Sequence, residues 1–466
     1  MKLNRITIEN FRCFRKLEVS FHPSLTVLVA TNGAGKTTVL DAARIALWPY
    51  IKGYDLGSTN GKSATIQIDD VRLKKRPGEI AMEAVIPAKV TAEGMWGEQY
   101  ENEIWSQSRE QVKASSKTLS GKTTKKFTAW GEELQSRVRD EDRKTSVDLP
   151  LVLYLGTGRL WYQGRYISEG VDKQLDISSF SRMWGYQNCL TATSSYKQFE
   201  AWYSWIYRSY RELQIKQLEN ENTLITDNAI FESFKAAIHV VKQAINSLTK
   251  ATTGWHDLEY RSSQNEQLVM NHNDHGSIPL SQLSDGLRNM VAMISDIAFR
   301  CIKLNPHFGG DAALKTRGVV LIDEVDMFLH PAWQQHVIHS LREAFPAIQF
   351  IVTTHSPQVL STVPDECIRI LDNGEVFNAP KGSQGAESSR ILKRIFDVEP
   401  RPKHDPVAVL LKEYLDLVYS DKWESLEAEE KRKVLNQHFG DEEPSLTDAD
   451  LYIENRKWEQ GLEEDN

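Results

Sequence analysis

The nine residues Ala30 to Thr38, Ala-Thr-Asn-Gly-Ala-Gly-Lys-Thr-Thr, constrain this chain more than any other stretch. They follow the unbroken apolar run Leu25–Val29, which suits a strand covered on both faces. They precede Val39, Leu40, Ala43, Ile45, Ala46 and Leu47, whose spacing is helical. A buried strand that passes through a glycine loop into a helix opens an α/β unit built on a parallel sheet. In such a loop the backbone amides from Asn32, Gly33, Ala34 and Gly35 to Thr38 cradle phosphate oxygens at the positive end of the helix. Gly33 and Gly35 let the backbone approach without a side chain in the way, Lys36 brings an ammonium to the β- and γ-oxygens, and Thr37 offers a hydroxyl to Mg²⁺. The ligands expected from the loop are ATP and Mg²⁺. Ala30 stands where the motif has its first glycine. Alanine there costs about 1 kcal/mol or more if the position needs a glycine-only backbone angle, and nothing if it is extended.

Three further motifs follow in order. Val319–Ile322 is a buried strand that runs into Asp323 and Glu324. Carboxylates at the end of a buried strand are costly unless a metal or donors receive them. Asp323 is expected to hold Mg²⁺ and Glu324 to orient and deprotonate an attacking water. Asp326 is placed to meet an opposing subunit. The strand Gln349–Val352 leads to Thr353-Thr354-His355-Ser356-Pro357, where His355 is expected to hydrogen-bond a γ-phosphate from the carboxyl edge of the sheet. Between the glycine loop and these strands, Leu283-Ser-Asp-Gly-Leu-Arg288 precedes a helical pattern over Leu287–Leu304. Ser284 and Gly286 then put a hydroxyl and bare amides at a helix N-terminus, a second anion cradle. An ordinary N-cap is the alternative at Ser284. Two cradles in one chain allow a head-to-tail pair to sandwich two ATP molecules, each between the loop of one copy and the Ser284 turn of the other.

Elsewhere the pattern is structural. Phe199, Trp202, Tyr203, Ile206, Tyr210 and Leu213 fall on one face of a helix beginning at Tyr196, and a second helix spans about Ala229–Leu248; the aromatic stripe suits a core. Pro331 opens another helix, Asn373-Gly374 a hairpin turn, and Lys381–Ala386 reads as a linker. Asp405 and Pro406 start a helix with Val407, Leu410, Leu411, Tyr414, Leu415 and Val418 on one side, and residues 441–466 are acidic. The polar stretch Ser106–Trp130 reads as a hairpin or loop. It holds six basic residues and one acid between Arg109 and Lys126, so a solvated loop and a phosphate-contacting finger for DNA both remain open. Net charge is −8, which excludes a basic coat for indiscriminate nucleic-acid binding. Cys13, Cys189, Cys301 and Cys367 form no CxxC pair and fit a reducing cytoplasm; the His272/His275 and His336/His339 pairs lack a third ligand at zinc spacing. No run approaches the roughly 18 apolar residues of a membrane helix, and Met1–Ile6 reads directly into a strand, so no signal peptide is expected before the fold.

Asn32–Thr37, Leu283–Arg288, Leu321–Asp326 with the following His330-Pro331, and Thr353–Pro357 together resemble the RecF/SMC-like branch of ABC ATPases. The opening Ile8-Glu-Asn-Phe-Arg-Cys-Phe14 is similar to that branch too. The likeness covers about 1–50 and 280–380. With Tyr54–Arg72, the moderate helical insert and the short helical tail, the chain further resembles the PtuA-like ATPases of Septu-type and retron-associated anti-phage systems. The resemblance implies an α/β ABC/SMC-like P-loop ATPase head with a helical insertion and a helical C-terminal tail. Its expected parts are an N-terminal lobe over 1–160, a mainly helical insertion over 161–275, a C-terminal lobe over 276–380 and a helical acidic region over 381–466. It implies ATP-dependent assembly with a PtuB-like HNH nuclease and control by a reverse transcriptase with its RNA–DNA product (msDNA). The branch's Q-loop glutamine is not identified; the Tyr154–Arg159 turn lies near its place. A RecF-like repair ATPase and a nucleotide-gated scaffold with little turnover remain as alternatives. A transporter ATPase would need membrane domains in trans. An overcoming-lysogenization nuclease would need a further carboxylate-rich module for which the residues after Lys381 are too few.

Overall fold

The computed structural model describes residues 1–55, 63–75, 77–78, 80–97, 99–142, 144–159, 180–191, 196–219, 228–262, 266–440 and 442–459. They fall into two units, Met1–Ile391 and Leu392–Asn466.

The first unit is organised around a six-stranded sheet. Its strand order is Glu375–Asn378, Ile368–Asp372, Leu25–Val29, Ile348–Thr353, Gly318–Ile322 and Leu151–Leu155. All neighbours are parallel except the edge hairpin Ile368–Asp372/Glu375–Asn378. Four of these strands are buried along their whole length, which is why they read as mostly apolar runs and not as alternations. Because Leu25–Val29, Ile348–Thr353 and Gly318–Ile322 are adjacent and parallel, the glycine loop, Thr353 and Asp323 all emerge at one carboxyl edge. Strand order reverses there relative to the sequence, where α/β sheets open a crevice for ligands.

A second, antiparallel sheet runs Phe14–Ser20, Lys2–Phe11, Ala88–Met95, Glu103–Arg109 and Leu119–Ser120. The helix Lys36–Lys52 contacts both sheets. Trp105 Nε1 donates to the Ala46 carbonyl at 2.7 Å, and Gln107 Nε2 donates to that of Ile45. The sheets are also joined by Gln349, which is fully buried in a central strand. Its Oε1 accepts from the Leu3 amide at 2.8 Å and its Nε2 donates to the Leu3 carbonyl at 2.7 Å. Leu3 lies at a register shift in the pairing of Lys2–Phe11 with Ala88–Met95, so the Gln349 side chain satisfies backbone groups beside that irregularity.

The helix Lys122–Arg139 occupies part of the stretch expected to be a hairpin or loop. Phe127 drives this correction: it is fully buried and stacks on Trp96 at 4.5 Å and on Tyr50 at 5.6 Å. Arg109, read within a basic stretch, is buried and donates to the carbonyls of Ile66, Lys113 and Ser116, so it orders its own loop. The helices Tyr196–Glu219 and Asn228–Thr253 pack on each other and on Asp285–Leu304, with Trp202 4.9 Å from Phe299. The aromatic stripe is core. Residues 161–179 of the expected insertion, and 56–62 of the Tyr54–Arg72 stretch, lie outside the described residues. The insertion's end is not helical: His256–Arg261, Gln267–His272 and Gly276–Pro279 form a three-stranded sheet that runs past residue 275. Lys381–Ala386 is no free linker, because Asp365 accepts from the amides of Gly382 and Ser383 at 2.9 Å each.

In the second unit, the helices Pro406–Tyr419, Leu426–Phe439 and Pro444–Glu459 share a core of Leu411, Tyr414, Val418, Ala428, Leu435, Leu446 and Ala449. The acidic end is partly spent internally, since Asp450 takes both arms of Arg432 at 2.6 and 2.7 Å and Glu443 pairs with Arg401 at 2.5 Å. No helix of the described residues is long and apolar enough to cross a membrane.

Gln349→Leu keeps the volume but leaves the buried Leu3 amide and carbonyl without partners. We expect a loss of about 3 kcal/mol, read as a lower urea midpoint for the full chain at unchanged slope.

Candidate nucleotide site

The glycine loop closes over the start of the helix Lys36–Lys52, with Gly33 at φ 81° and Gly35, the N-cap, at φ 97°. Both angles are left-handed and favour glycine. A Cβ on Gly35 would strike the Phe14 ring, with Cys13 Sγ 3.0 Å away, so the Arg12–Phe14 turn lies directly on the loop. Arg12 is fixed there by Asp41 at 2.7 Å and Asp70 at 2.8 Å. Ala30 is buried and is not among the positive-φ residues, so the missing first glycine costs no backbone strain. Lys36 Nζ donates to the Ala30 carbonyl at 3.0 Å and to that of Thr31 at 3.4 Å, which folds the ammonium back across the loop. Burial lowers the Lys36 pKa, against the pull of Asp323, Glu324 and Asp326, which raise it.

Asp323 is buried and takes two hydroxyls, Thr37 Oγ1 at 3.0 Å and Thr353 Oγ1 at 2.6 Å. The Thr353 hydroxyl in turn accepts from the Glu324 amide at 2.7 Å. Glu324 sits at φ 49°, a conformation uncommon for a non-glycine residue, and the residue is only partly buried. Asp326 accepts from Thr354 Oγ1 at 2.6 Å, so this head already holds the carboxylate expected to reach across to a second copy. Thr353 and Thr354 were not singled out in the sequence. They orient the two acidic side chains across adjacent strand ends, and only their position beside His355 in the motif pointed to them. His355 is half-buried at the same edge; burial first, and Lys36 second, lower its pKa, against the pull of Asp326, Glu324 and Asp323. Ser356 caps the short helix Pro357–Leu360 and donates to Gln334 at 2.6 Å.

Ser284 is the N-cap of Asp285–Leu304, its Oγ accepting from the Leu287 amide at 3.4 Å. Gly286 is needed for a contact within the chain: a Cβ would come 2.6 Å from the Phe328 carbonyl. Among the described residues Ser284 hydrogen-bonds within its own helix, through Leu287 and Arg288. The structure thus gathers Lys36, Thr37, Asp323, Glu324 and His355 at one edge and sets Ser284 and Gly286 apart, against the loop that follows the acidic strand. His275 stacks on Trp255, His272 packs against the same ring at a tilt, and His272 caps its own turn, accepting from the Asp274 amide at 3.0 Å. Among the described residues no group of three His, Cys, Asp or Glu is placed to hold a metal by itself.

The residues suit Mg²⁺ and a triphosphate on their own geometry. The loop turns through left-handed Gly33, beside which a Cβ would meet nothing within 4 Å, the Lys36 ammonium rests on the Ala30 and Thr31 carbonyls, and Thr37 with Asp323 forms a hard-oxygen pair.

Comparison with known proteins agrees with the geometry. A sequence model described as an AAA domain matches residues 5–251, more than half of the 466-residue chain, and a second AAA-domain model matches 164–361. The chain is 28% identical to "Retron Ec83 probable ATPase" of Escherichia coli, over 100% of its own length and 89% of the relative's. It is 23% identical to "Retron Vc95 probable ATPase" of Vibrio cholerae, over 94% and 88%. A shorter likeness, 41% identity over 21% of this chain and 13% of the relative, is to the Septu protein PtuA of Bacillus mycoides. An SMC head bound to the C-winged helix domain of ScpA aligns over 82% of the chain and 98% of that head, at 13% identity and TM-score 0.47. The parallel sheet, the glycine loop and the acidic strand end make this a P-loop ATPase head, and the chain belongs to the AAA-domain family, similar over its length to retron ATPases and in part to PtuA.

Proposed function

We propose that the chain binds ATP with Mg²⁺, hydrolyses it slowly, and uses the bound nucleotide to hold two heads together as the ATPase of an anti-phage defence assembly. The observation that carries the reading is the Thr37–Asp323–Thr353 chain, which ties the glycine loop, the acidic strand and the histidine strand into one oxygen-rich site. Thr37 and Asp323 are the residues to hold Mg²⁺, which, when bound, supplies Lewis-acid polarisation of phosphate oxygens. The amides of Asn32 to Thr38 and the Lys36 ammonium bind and orient the triphosphate. Glu324, aimed by its left-handed backbone and by the Thr353 hydroxyl on its amide, receives the proton of the attacking water on its carboxylate. His355 donates a ring N–H towards the terminal phosphate. Ser284 and Gly286 complete the site of a second copy.

The defence role is supported by likeness alone: whole-length similarity to retron ATPases and partial similarity to PtuA. The partner in this reading is a PtuB-like HNH nuclease, with a retron reverse transcriptase and its msDNA as controlling elements in the reducing cytoplasm. ATP-bridged heads fix the helical insert in the form the nuclease reads, and loss of ATP releases cutting.

Three substitutions test the site. Lys36→Ala removes the ammonium and is expected to weaken ATP binding by about 10- to 100-fold in equilibrium dialysis. Glu324→Gln keeps binding, traps ATP and locks the pair, while turnover falls by about 100-fold or more. Ser284→Arg leaves ATP binding by one head intact and abolishes ATP-dependent pairing in sedimentation. Wild-type behaviour of all three sinks the reading. Thr353→Val leaves Asp323 and the Glu324 amide each short of a partner. We expect about 2–3 kcal/mol less stability and a tenfold or larger loss of turnover, with Thr353→Ser restoring both in parallel denaturation and hydrolysis assays.

A further inference from the structure

Arg159 ends the turn after the strand Leu151–Leu155 and is buried, only 4% exposed. Its guanidinium joins three separate parts of the head. Nη1 donates to the Asp323 carbonyl at 2.6 Å and to the Gly156 carbonyl at 3.1 Å, and Nη2 donates to the Glu324 carbonyl at 2.8 Å. Nε donates to Asn289 Oδ1 at 2.9 Å. Asn289 is fully buried on the helix Asp285–Leu304, one turn after the Ser284 cap, and its Nδ2 donates to the Met327 carbonyl at 2.9 Å. On the same helix, a Cβ at Gly286 would come 2.6 Å from the Phe328 carbonyl, so the helix runs close against that loop. The loop from Asp323 to Phe328, which includes two left-handed residues, Glu324 at φ 49° and Phe328 at φ 64°, is therefore held at both ends by Arg159 and by the helix that carries Ser284.

We propose that Arg159 and Asn289 are positioning residues that transmit the engagement of Ser284 with one nucleotide to the aim of Glu324 at the other. The claim rests on the ATP-bridged pair described above. The turn of Ser284 serves the partner's nucleotide, whereas Glu324 serves the chain's own. A helix displacement of a few tenths of an ångström at Ser284 moves Asn289 with it. Asn289 pulls on Met327 through its amide and on Arg159 through its carbonyl, and Arg159 holds the very carbonyls that set the Glu324 backbone. A guanidinium suits this place because its planar fork fixes several acceptors in one geometry, which a lysine ammonium cannot do. Burial pushes the Arg159 pKa down to about 10, opposed by Asp323, Glu324 and Asp326, and the group stays charged at neutral pH. The residue touches no reacting atom in this reading; it acts through Glu324.

The test uses the purified full chain and compares wild type with Arg159→Lys and Asn289→Asp. Asn289→Asp keeps an acceptor for Arg159 but loses the donor to Met327, cutting the chain of contacts one bond away from the acidic strand. Four quantities are read: melting, ATP–Mg²⁺ affinity, ATP-dependent pairing, and the Hill coefficient of turnover against ATP concentration. The expected wild type pairs with ATP and has a Hill coefficient above unity. Both variants are expected to bind ATP within about twofold of wild type and still pair. Their Hill coefficient drops to unity and turnover falls by about tenfold or more. A variant that keeps the wild-type Hill coefficient overturns the proposal, and so does one that loses turnover alone, since that makes Arg159 a local prop for Glu324. A wild type that pairs but shows no cooperativity overturns it as well. If the wild type neither binds ATP nor pairs, the parent reading fails first, before any variant is made. Should Arg159→Lys melt without a cooperative transition, Asn289→Asp decides the matter.

Discussion

A buried carboxylate at the end of a buried strand governs this head. Asp323 lies at the carboxyl edge of a sheet whose central strands are buried on both faces, and a carboxylate there is sustained only by nearby donors. Thr37 and Thr353 supply them, one from the helix that follows the glycine loop and the other from the histidine strand. Parallel pairing of Leu25–Val29, Ile348–Thr353 and Gly318–Ile322 is what brings both hydroxyls to the same carboxylate. The stability of the edge and the assembly of the site are thus one problem. A shift of one residue in either pairing would turn Asp323 or Thr353 to the opposite face and leave the charge buried alone.

The parts of this arrangement that were legible in the sequence are those in which chemistry and backbone lie within a few consecutive residues. The strand, loop and helix around Lys36 can be read because their periodicities change abruptly at glycines, and Asp323 and Glu324 because two acids terminate an apolar run. The aromatic stripe from Phe199 and the core face from Val407 follow from helical spacing alone; Phe199, Trp202, Tyr203, Ile206, Leu411, Tyr414 and Val418 are buried, and the rest of each face is half-buried. What escaped reading was made by contacts across the chain. Gln349 looks like a polar lapse in a strand until Leu3 is placed beside it, 346 positions away. Lys381–Ala386 has linker composition, but Asp365 satisfies its amides. The Lys122–Arg139 helix was hidden by its many polar residues, because one face, centred on Phe127, supplies nearly all of its burial.

Gly286 has a second reason to be glycine, one that the motif around it did not suggest. Bare amides at a helix N-terminus suggest an anion cradle, yet the glycine is demanded by the Phe328 carbonyl of the same chain. The two explanations are compatible, and together they say more than either. A residue that must lie against the loop after Glu324 cannot also move independently of it. Any ligand that engages the Ser284 turn therefore works against a loop that already carries two left-handed residues, and strain of that sort is sustained only where the surroundings over-determine it.

The opening turn gives the same lesson at the other end of the site. Arg12, Cys13 and Phe14 belong to the antiparallel sheet, yet the Phe14 ring rests where a Cβ of Gly35 would be. The glycine in the loop is thereby required twice, once by its φ of 97° and once by an aromatic ring from a different sheet. Arg12 is itself at φ 49° and is pinned by Asp41, on the helix that starts at Lys36, and by Asp70. Asp41 is further tied to Arg44, which lies over the Tyr154 ring three residues before the turn that ends in Arg159. The antiparallel sheet, the loop helix and the strand leading to Arg159 thus share one network of charges around the first turns of that helix. Substitutions in the opening turn should act on the phosphate loop through packing, even where they touch no nucleotide atom, because the loop has no slack on that side.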